Sequence, residues 1–187
     1  DAPIVFEGEA SDVSVGGSVV RSQGFAFEFR SRGVSFYSSK RQVRRHAPER
    51  DGEWVDLDGF LPDDCELSVY ADNFLVELRS EWNSFQSGSL IVVQFDDLVS
   101  RGQNALFRPV FEPSRGTSLA GAATTKDFLI LNVLEDVKSK LVFVDRATWS
   151  VVKEDEPQIR RVGVSPVDPD ETNDFFSTVS SFLTPPT

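Results

Sequence analysis

The sequence predicts an all-β chain, a partial β-propeller of about three four-stranded antiparallel blades with partial blades at both ends. Three observations lead there. A phenylalanine opens an apolar run four times, at Phe25, Phe74, Phe128 and Phe175, each at a similar place in a longer unit. The runs are short, rich in Val, Phe, Leu, Trp and Ser, and separated by Gly, Pro, Asn and Asp turns, which is the pattern of antiparallel strands. The unit has about 40 to 50 residues, the size of one blade, and a lone blade cannot bury both faces without a neighbour. An aligned sandwich of two sheets uses similar strands. Sandwich strands rarely copy one another in order, and these do.

Taken in order, the chain reads as a single propeller fragment over residues 1–187. IVFEGE (4–9) resembles RPVFEP (108–113), so the chain is expected to open on a closing strand. The first unit, 12–58, offers VSVGGSVV (13–20), FAFEFRS (25–31), VSFYSS (34–39) and EWVDLD (53–58). The second, 66–112, repeats the plan with ELSVYA (66–71), FLVELRS (74–80), SLIVVQF (89–95) and LFRPVFE (106–112). The third, 118–154, compresses it into SLAGAATT (118–125), FLILNVLE (128–135), KLVFVDR (140–146) and TWSVVKE (148–154). A fourth, 160–182, has RRVGVSP (160–166) and FFSTVSSF (175–182) before Pro185 and Pro186 stop the pattern. Trp54 and Trp149 fall in equivalent fourth strands and are expected to pack within their blades.

Composition narrows the function. A net charge of −11 disfavours nucleic acid, because phosphate binding needs clustered cations. The local exception, Lys40, Arg41, Arg44, Arg45, His46 and Arg50, is expected on a solvated outer hairpin between third and fourth strands, where charge blocks edge pairing. No run of about 18 apolar residues is present, so no membrane span or membrane partner is expected, and the N-terminus lacks the pattern of a signal peptide. The chain begins at Asp1, contains no Met and has incomplete end units, so it is expected to be a segment of a longer protein. Cys65 is the single cysteine, which excludes an internal disulfide and a multi-cysteine metal site and accords with a cytoplasmic protein. It is expected to pack near a strand start.

Catalytic chemistry is hard to find. Serine nucleophiles need a base and an orienting carboxylate, yet the single histidine, His46, sits in RRHAPERDG, and no G-x-S-x-G elbow exists. The acidic stretch VDPDETND (167–174) lacks the glycine and ligand spacing of a calcium loop and reads as a polar turn. Asp63 with Asp64 and Asp96 with Asp97 read structurally, the second pair as a cap for DLVSRG. No catalytic residue, cofactor site or metal site is assigned.

The text of the third unit carries a resemblance. TSLAG (117–121), FLILNVLEDVKSKL (128–141) and SPVDPDETNDFFSTVSSFLTP (165–185) resemble the propeller of prolyl oligopeptidase family serine peptidases. LRSEWN (78–83), SGSLIVV (87–93), LFRPVFEPSRGTSLAG (106–121) and VFEGEASDVSVGGSV (5–19) extend it over nearly the whole chain, and segment 40–60 departs from it by being more basic. The resemblance implies a two-domain hydrolase. An α/β-hydrolase domain carries the Ser, Asp and His triad and cleaves peptides after proline, and a seven-bladed propeller limits substrate size. This chain would then be a non-catalytic part of that propeller, with the catalytic domain of the parent chain and a passing peptide substrate as partners. The alternative is a stand-alone interaction scaffold. In a blade, the loop from last to next first strand and that from second to third strand emerge on one face. That face is expected to gather Arg30, Glu135 and the candidate domain-facing contacts Arg32, Trp82, Arg115 and Asp136. Open blade edges further predict self-association.

Overall fold

The computed structural model describes residues 3–47 and 51–181. Three four-stranded sheets and one two-stranded sheet account for its regular structure among the described residues, each sheet running in sequence order. The first contains β1 (Ser14–Ser22), β2 (Phe25–Gly33), β3 (Ser39–Arg45) and β4 (Val55–Asp56), all paired antiparallel. Gln23 and Gly24 join β1 to β2 with φ of 52° and 81°, the doubly left-handed turn that suits the twist of a tight hairpin.

Two expectations for this sheet are corrected. Residues 34–38 form a turn instead of a strand, because Val34 N–H donates to Ser38 O at 3.0 Å and the Ser35 hydroxyl accepts the Ser38 amide at 3.1 Å. The third strand is the basic segment itself. Val43 gives it a fully buried anchor, and the guanidiniums on either side find carboxylates, Arg44 on Glu28 at 2.5 Å and Arg45 on Asp96 at 3.0 Å. Long arginine stems lie along apolar surface while their heads reach charge, so a strand rich in arginine pairs well. Arg50 lies outside the described residues. Secondly, residues 4–9 form no strand. Glu9, at the end of this segment, pairs instead with Arg32 at 2.7 Å.

The second sheet contains β5 (Glu66–Tyr70), β6 (Asn73–Glu77), β7 (Leu90–Gln94) and β8 (Arg108–Phe111). Helix α1 (Phe95–Arg101) and a 3-10 turn (Gly102–Asn104) lie between β7 and β8. The expected cap by Asp96 or Asp97 is not made: Gln94 holds the N-cap, without a side-chain hydrogen bond, and both aspartates stand in the first turn, where a carboxylate complements the helix N-terminus. Asp97 also accepts the Leu106 amide at 2.6 Å and pairs with Arg101 at 3.0 Å, tying the helix to the chain beyond it.

The third sheet contains β9 (Thr117–Thr124), β10 (Phe128–Glu135), β11 (Lys138–Asp145) and β12 (Val151–Glu154). A hairpin of β13 (Arg161–Pro166) and β14 (Phe175–Ser180) follows. Trp149, expected in the fourth strand, instead sits at φ 56° in the turn before β12. Its turn is held by Asp145, which accepts the Thr148 amide at 2.9 Å and hydroxyl at 2.7 Å; these bonds hold the Asp145 carboxyl below its ordinary pKa. The acidic stretch between β13 and β14 is the polar turn expected. Asp168 accepts the Asp170 amide at 3.1 Å, and Thr172 accepts that of Asp174 at 2.7 Å. Pro185 and Pro186 lie outside the described residues.

Two compact units result, one from the described residues up to Asn83 with Ile91–Arg108, the other from Ser84–Leu90 with the described residues from Pro109 onward. The first is centred on an aromatic cluster. Phe74 meets Phe27 at 5.4 Å between ring centroids, Phe95 at 5.5 Å and Phe29 at 5.8 Å, in edge and tilted geometries that suit ring quadrupoles. The Ser22 hydroxyl accepts the Ala71 amide at 3.0 Å within the same core. The second unit packs Ile130, Leu141, Phe143 and Val162, with Phe128, Val164 and Phe175 against them.

Candidate functional site

A concave feature of the second unit stands out, a groove of about 770 Å³ between β9, β10 and the β13–β14 hairpin. Local sequence explains it. Four small residues, Ala120, Gly121, Ala122 and Ala123, leave one wall without bulk. Ala120 is also an extra residue: the ladder pairs Asn132 with Gly121 but Val133 with Leu119, so β9 bulges there. A bulge re-aims neighbouring side chains and recurs beside functional sites. Asn132, opposite the bulge, donates through Nδ2 to Val162 O at 2.6 Å, and its Oδ1 is buried without a hydrogen-bond partner among the described residues. Arg160 Nε, across the groove, is buried in the same condition. A buried acceptor and a buried donor without partners, on two residues that line one groove, are an unusual pair, since such groups are ordinarily satisfied.

The structure brings two of the four candidate contacts to neighbouring turns beside this groove. Asp136 lies in the β10–β11 turn at φ 45°, next to Val137, which lines the groove and is 91% exposed. Its amide donates to Gly116 O at 2.9 Å, so Arg115 and Asp136, distant in sequence, lie on two exposed turns joined by that bond. Gly116 is required there, with φ 94° and Asp136 Oδ1 only 2.6 Å from where a Cβ would stand. Glu135, expected on the same face, is instead engaged by Lys140 at 3.0 Å. That bond, with Glu154 at 3.2 Å behind it, holds the Lys140 ammonium above its ordinary pKa.

The other two candidates lie in the first unit and are not free. Arg32, near the end of β2, donates to Asp12 at 2.6 and 3.1 Å and pairs with Glu9 at 2.7 Å. The Asp12 carboxyl is held below its ordinary range by that Arg32 bond first and by the Glu9 amide second, and the guanidinium is raised in turn. Trp82 packs edge to face on Phe107 at 4.9 Å and 87°. Arg30 stacks on Trp54 at 3.9 Å, and Arg44 meets the same ring at 4.7 Å, so Trp54 precedes β4 as the filling of a cationic pair. The sequence reading missed a surface feature here. Phe36 and Tyr37, 85% and 65% exposed, stack on each other at 4.7 Å in the β2–β3 turn, with Arg79 over Tyr37 at 5.7 Å. Reading VSFYSS as a strand concealed it.

Comparison with known proteins places this geometry. No family model matches the chain. An uncharacterized peptidase of Sinorhizobium fredii is 27% identical over 195 residues, covering 98% of this chain and 26% of that protein. Among solved structures, a post-proline cleaving enzyme from Rickettsia typhi superposes with a TM-score of 0.81 at 20% identity, over 98% of this chain and 28% of its own. Prolyl oligopeptidase B from Galerina marginata gives 0.64 at 12% identity, over 92% of this chain and 24% of its own. A structure from a study of two prolyl endopeptidases gives 0.60 at 19%, over 92% and 24%. The chain therefore has the all-β fold of a partial β-propeller and resembles prolyl oligopeptidases, and it spans about a quarter of the length of each protein it matches. No helix among the described residues is long and apolar enough to cross a membrane.

Proposed function

We propose that this chain is a non-catalytic propeller segment of a prolyl oligopeptidase-like serine peptidase, which packs against an α/β-hydrolase domain of the parent protein and limits which peptides reach it. One observation carries the reading: nearly the whole chain, 98%, superposes at a TM-score of 0.81 on a little over a quarter of a post-proline cleaving enzyme. A peptidase relative at 27% identity over the same span supports it. Within the proposal, the domains are one propeller fragment over residues 1–187. The exposed Arg115 and Asp136 turns form the domain-facing surface of the second unit, and Trp82 and Arg32 are the domain-facing contacts of the first. A peptide substrate passes the propeller, and the chain alone performs no hydrolysis.

The test has two arms. Incubated with a fluorogenic peptide carrying proline at the cleaved bond, the 187-residue chain is expected to give no turnover. The hydrolase domain encoded by the parent gene is expected to bind the chain, and Arg115→Glu with Asp136→Lys to weaken that binding. Turnover by the chain that a serine-directed inhibitor abolishes would sink the non-catalytic reading; binding untouched by the double variant would sink the assigned surface. A second reading, an interaction scaffold, is favoured by the exposed Phe36 and Tyr37 pair, and is separated by whether the parent gene encodes an elbow serine. Self-association through the outer strands is part of the proposal for the isolated chain, and a monomeric sedimentation profile would overturn it.

A further inference from the structure

The first unit brings together three ligand-type side chains, Glu28 from one strand and His46 and Asp51 from a segment about 20 residues further on. Glu28 projects from β2, His46 follows β3, and Asp51 stands on the segment leading to β4. Ladder pairing aligns them: Glu28 is opposite Arg44, the His46 amide donates to Ala26 O at 2.8 Å, and the Gly52 amide returns to Arg45 O at 2.8 Å. One ligand atom from each of Glu28, His46 and Asp51 lies within 4.8 Å of the other two, in a half-buried setting.

We propose that Glu28, His46 and Asp51 form a binding site for a single divalent first-row transition metal ion, with zinc the leading occupant. Imidazole and carboxylate together suit this class of ion, where an all-oxygen set would suit calcium or magnesium. His46 Nδ1 stands 2.7 Å from Asp51 Oδ1, yet the pair is not aligned as an N–H···O hydrogen bond. The two atoms face each other closely enough that a further separation of about half an ångström would seat one ion between them at ordinary zinc–ligand distances. Asp51 Oδ1 otherwise accepts only a long 3.4 Å bond from the Ala47 amide among the described residues.

Arg44 completes the arrangement as a positioning residue. Its Nη2 lies 2.5 Å from Glu28 Oε2 and 2.8 Å from Asp51 Oδ2, so one guanidinium holds one oxygen of each carboxylate and leaves each a second oxygen. Outer partners of this kind fix the orientation of metal-ligating carboxylates. Arg44 is itself held against Trp54. Two carboxylates beside one guanidinium leave the cluster with more acidic than basic side chains, which favours a dication. The ion would tie β2, β3 and the approach to β4 together where β4 contributes only two residues of ladder. That is a structural role, and it requires no part of the peptidase reading.

The experiment is a calorimetric titration of the whole 187-residue chain with zinc alone, beside His46→Ala, Asp51→Asn, Glu28→Gln and Cys65→Ser. The expected result is one zinc per chain in the micromolar range. Each of the first three variants is expected to weaken it by about tenfold or more, the effect typical of disturbing a metal site, while Cys65→Ser leaves it unchanged. Cobalt in place of zinc should show ligand-field bands with no thiolate charge-transfer band. Circular dichroism melts of the metal-free variants that overlay the parent keep misfolding out of the result. The proposal is overturned if the parent binds no zinc at these concentrations, or if His46→Ala and Asp51→Asn bind as tightly as the parent.

Discussion

Replacing Phe74 by alanine tests whether burial or repeat position decides what a phenylalanine contributes. Phe25 and Phe74 open equivalent runs, but Phe74 is fully buried while Phe25 is 37% exposed. Phe74 touches three other rings within 5.8 Å, so truncation empties the centre of an aromatic cluster that cannot collapse onto it. Buried Phe→Ala changes cost about 3 to 5 kcal/mol from lost transfer and the cavity left behind. With three ring neighbours lost, about 4 kcal/mol is expected, nearly three powers of ten in the folding constant. Phe74→Leu keeps most of the volume and is expected to cost about 1.5 kcal/mol. Phe36→Ala, at 85% exposure, is expected within about 0.5 kcal/mol of the parent. Urea unfolding in a Trp149→Phe background reads the first unit by itself, because Trp54 and Trp82 belong to it and Trp149 does not. A shift in midpoint at constant slope identifies a stability change. The reasoning fails if Phe74→Ala costs less than about 1.5 kcal/mol, or if Phe25→Ala costs as much as Phe74→Ala.

Four further outcomes are expected. Glu77 faces Glu66 across the β5–β6 ladder, and burial first, then Glu66, raises its carboxyl pKa. A raised folded pKa means stability that is present at low pH and lost as pH rises through the carboxylate range, so Glu77→Gln should melt higher at pH 7 and converge with the parent below about pH 4. Burial likewise raises the Cys65 thiol, beside which Arg41 donates to Sγ at 3.3 Å and to Cys65 O at 2.6 Å. Stability should therefore fall as pH climbs past the ordinary thiol range, and Cys65→Ala should remove that alkaline loss in a series of melts. Gly116→Ala forces a Cβ onto Asp136 at positive φ and should lower the melting midpoint of the second unit by the equivalent of about 1 to 3 kcal/mol; an unchanged midpoint would refute the strain argument. Asn173 accepts from the Asp127 amide at 2.8 Å and the Thr125 hydroxyl at 3.0 Å, so Asn173→Ala should speed exchange of the Asp127 amide hydrogen and leave β5–β6 amides unaffected.

The plan of strands is legible in the sequence wherever short apolar runs stand between clear turn residues. β5, β10, β13 and β14 fall within a residue or two of their expected bounds, because each is a short run dense in β-branched, aromatic or aliphatic residues bounded by turn residues. The family resemblance rested on the same well-patterned text and agreed with the superposition. The plan failed where charge and local hydrogen bonds outweighed hydrophobicity. VSFYSS carries good strand residues but folds as a turn, because Ser35 and Ser38 close a local hydrogen-bonded loop; SKRQVRR looks like solvent-facing hairpin but becomes β3, because a single buried valine and distant carboxylates support it. Candidate sites were less legible still. Asn132 and Arg160 read as ordinary polar residues, and only the tertiary structure around the bulge at Ala120 and the hairpin after β12 buries polar atoms of theirs without a partner among the described residues. Glu28, His46 and Asp51 show no ligand spacing along the chain; the β2–β3 register sets Glu28 against the end of β3, and the Gly52 amide on Arg45 O brings Asp51 back to it. Periodicity records which faces are buried; which side chains converge is decided by pairing between strands, and that information is tertiary.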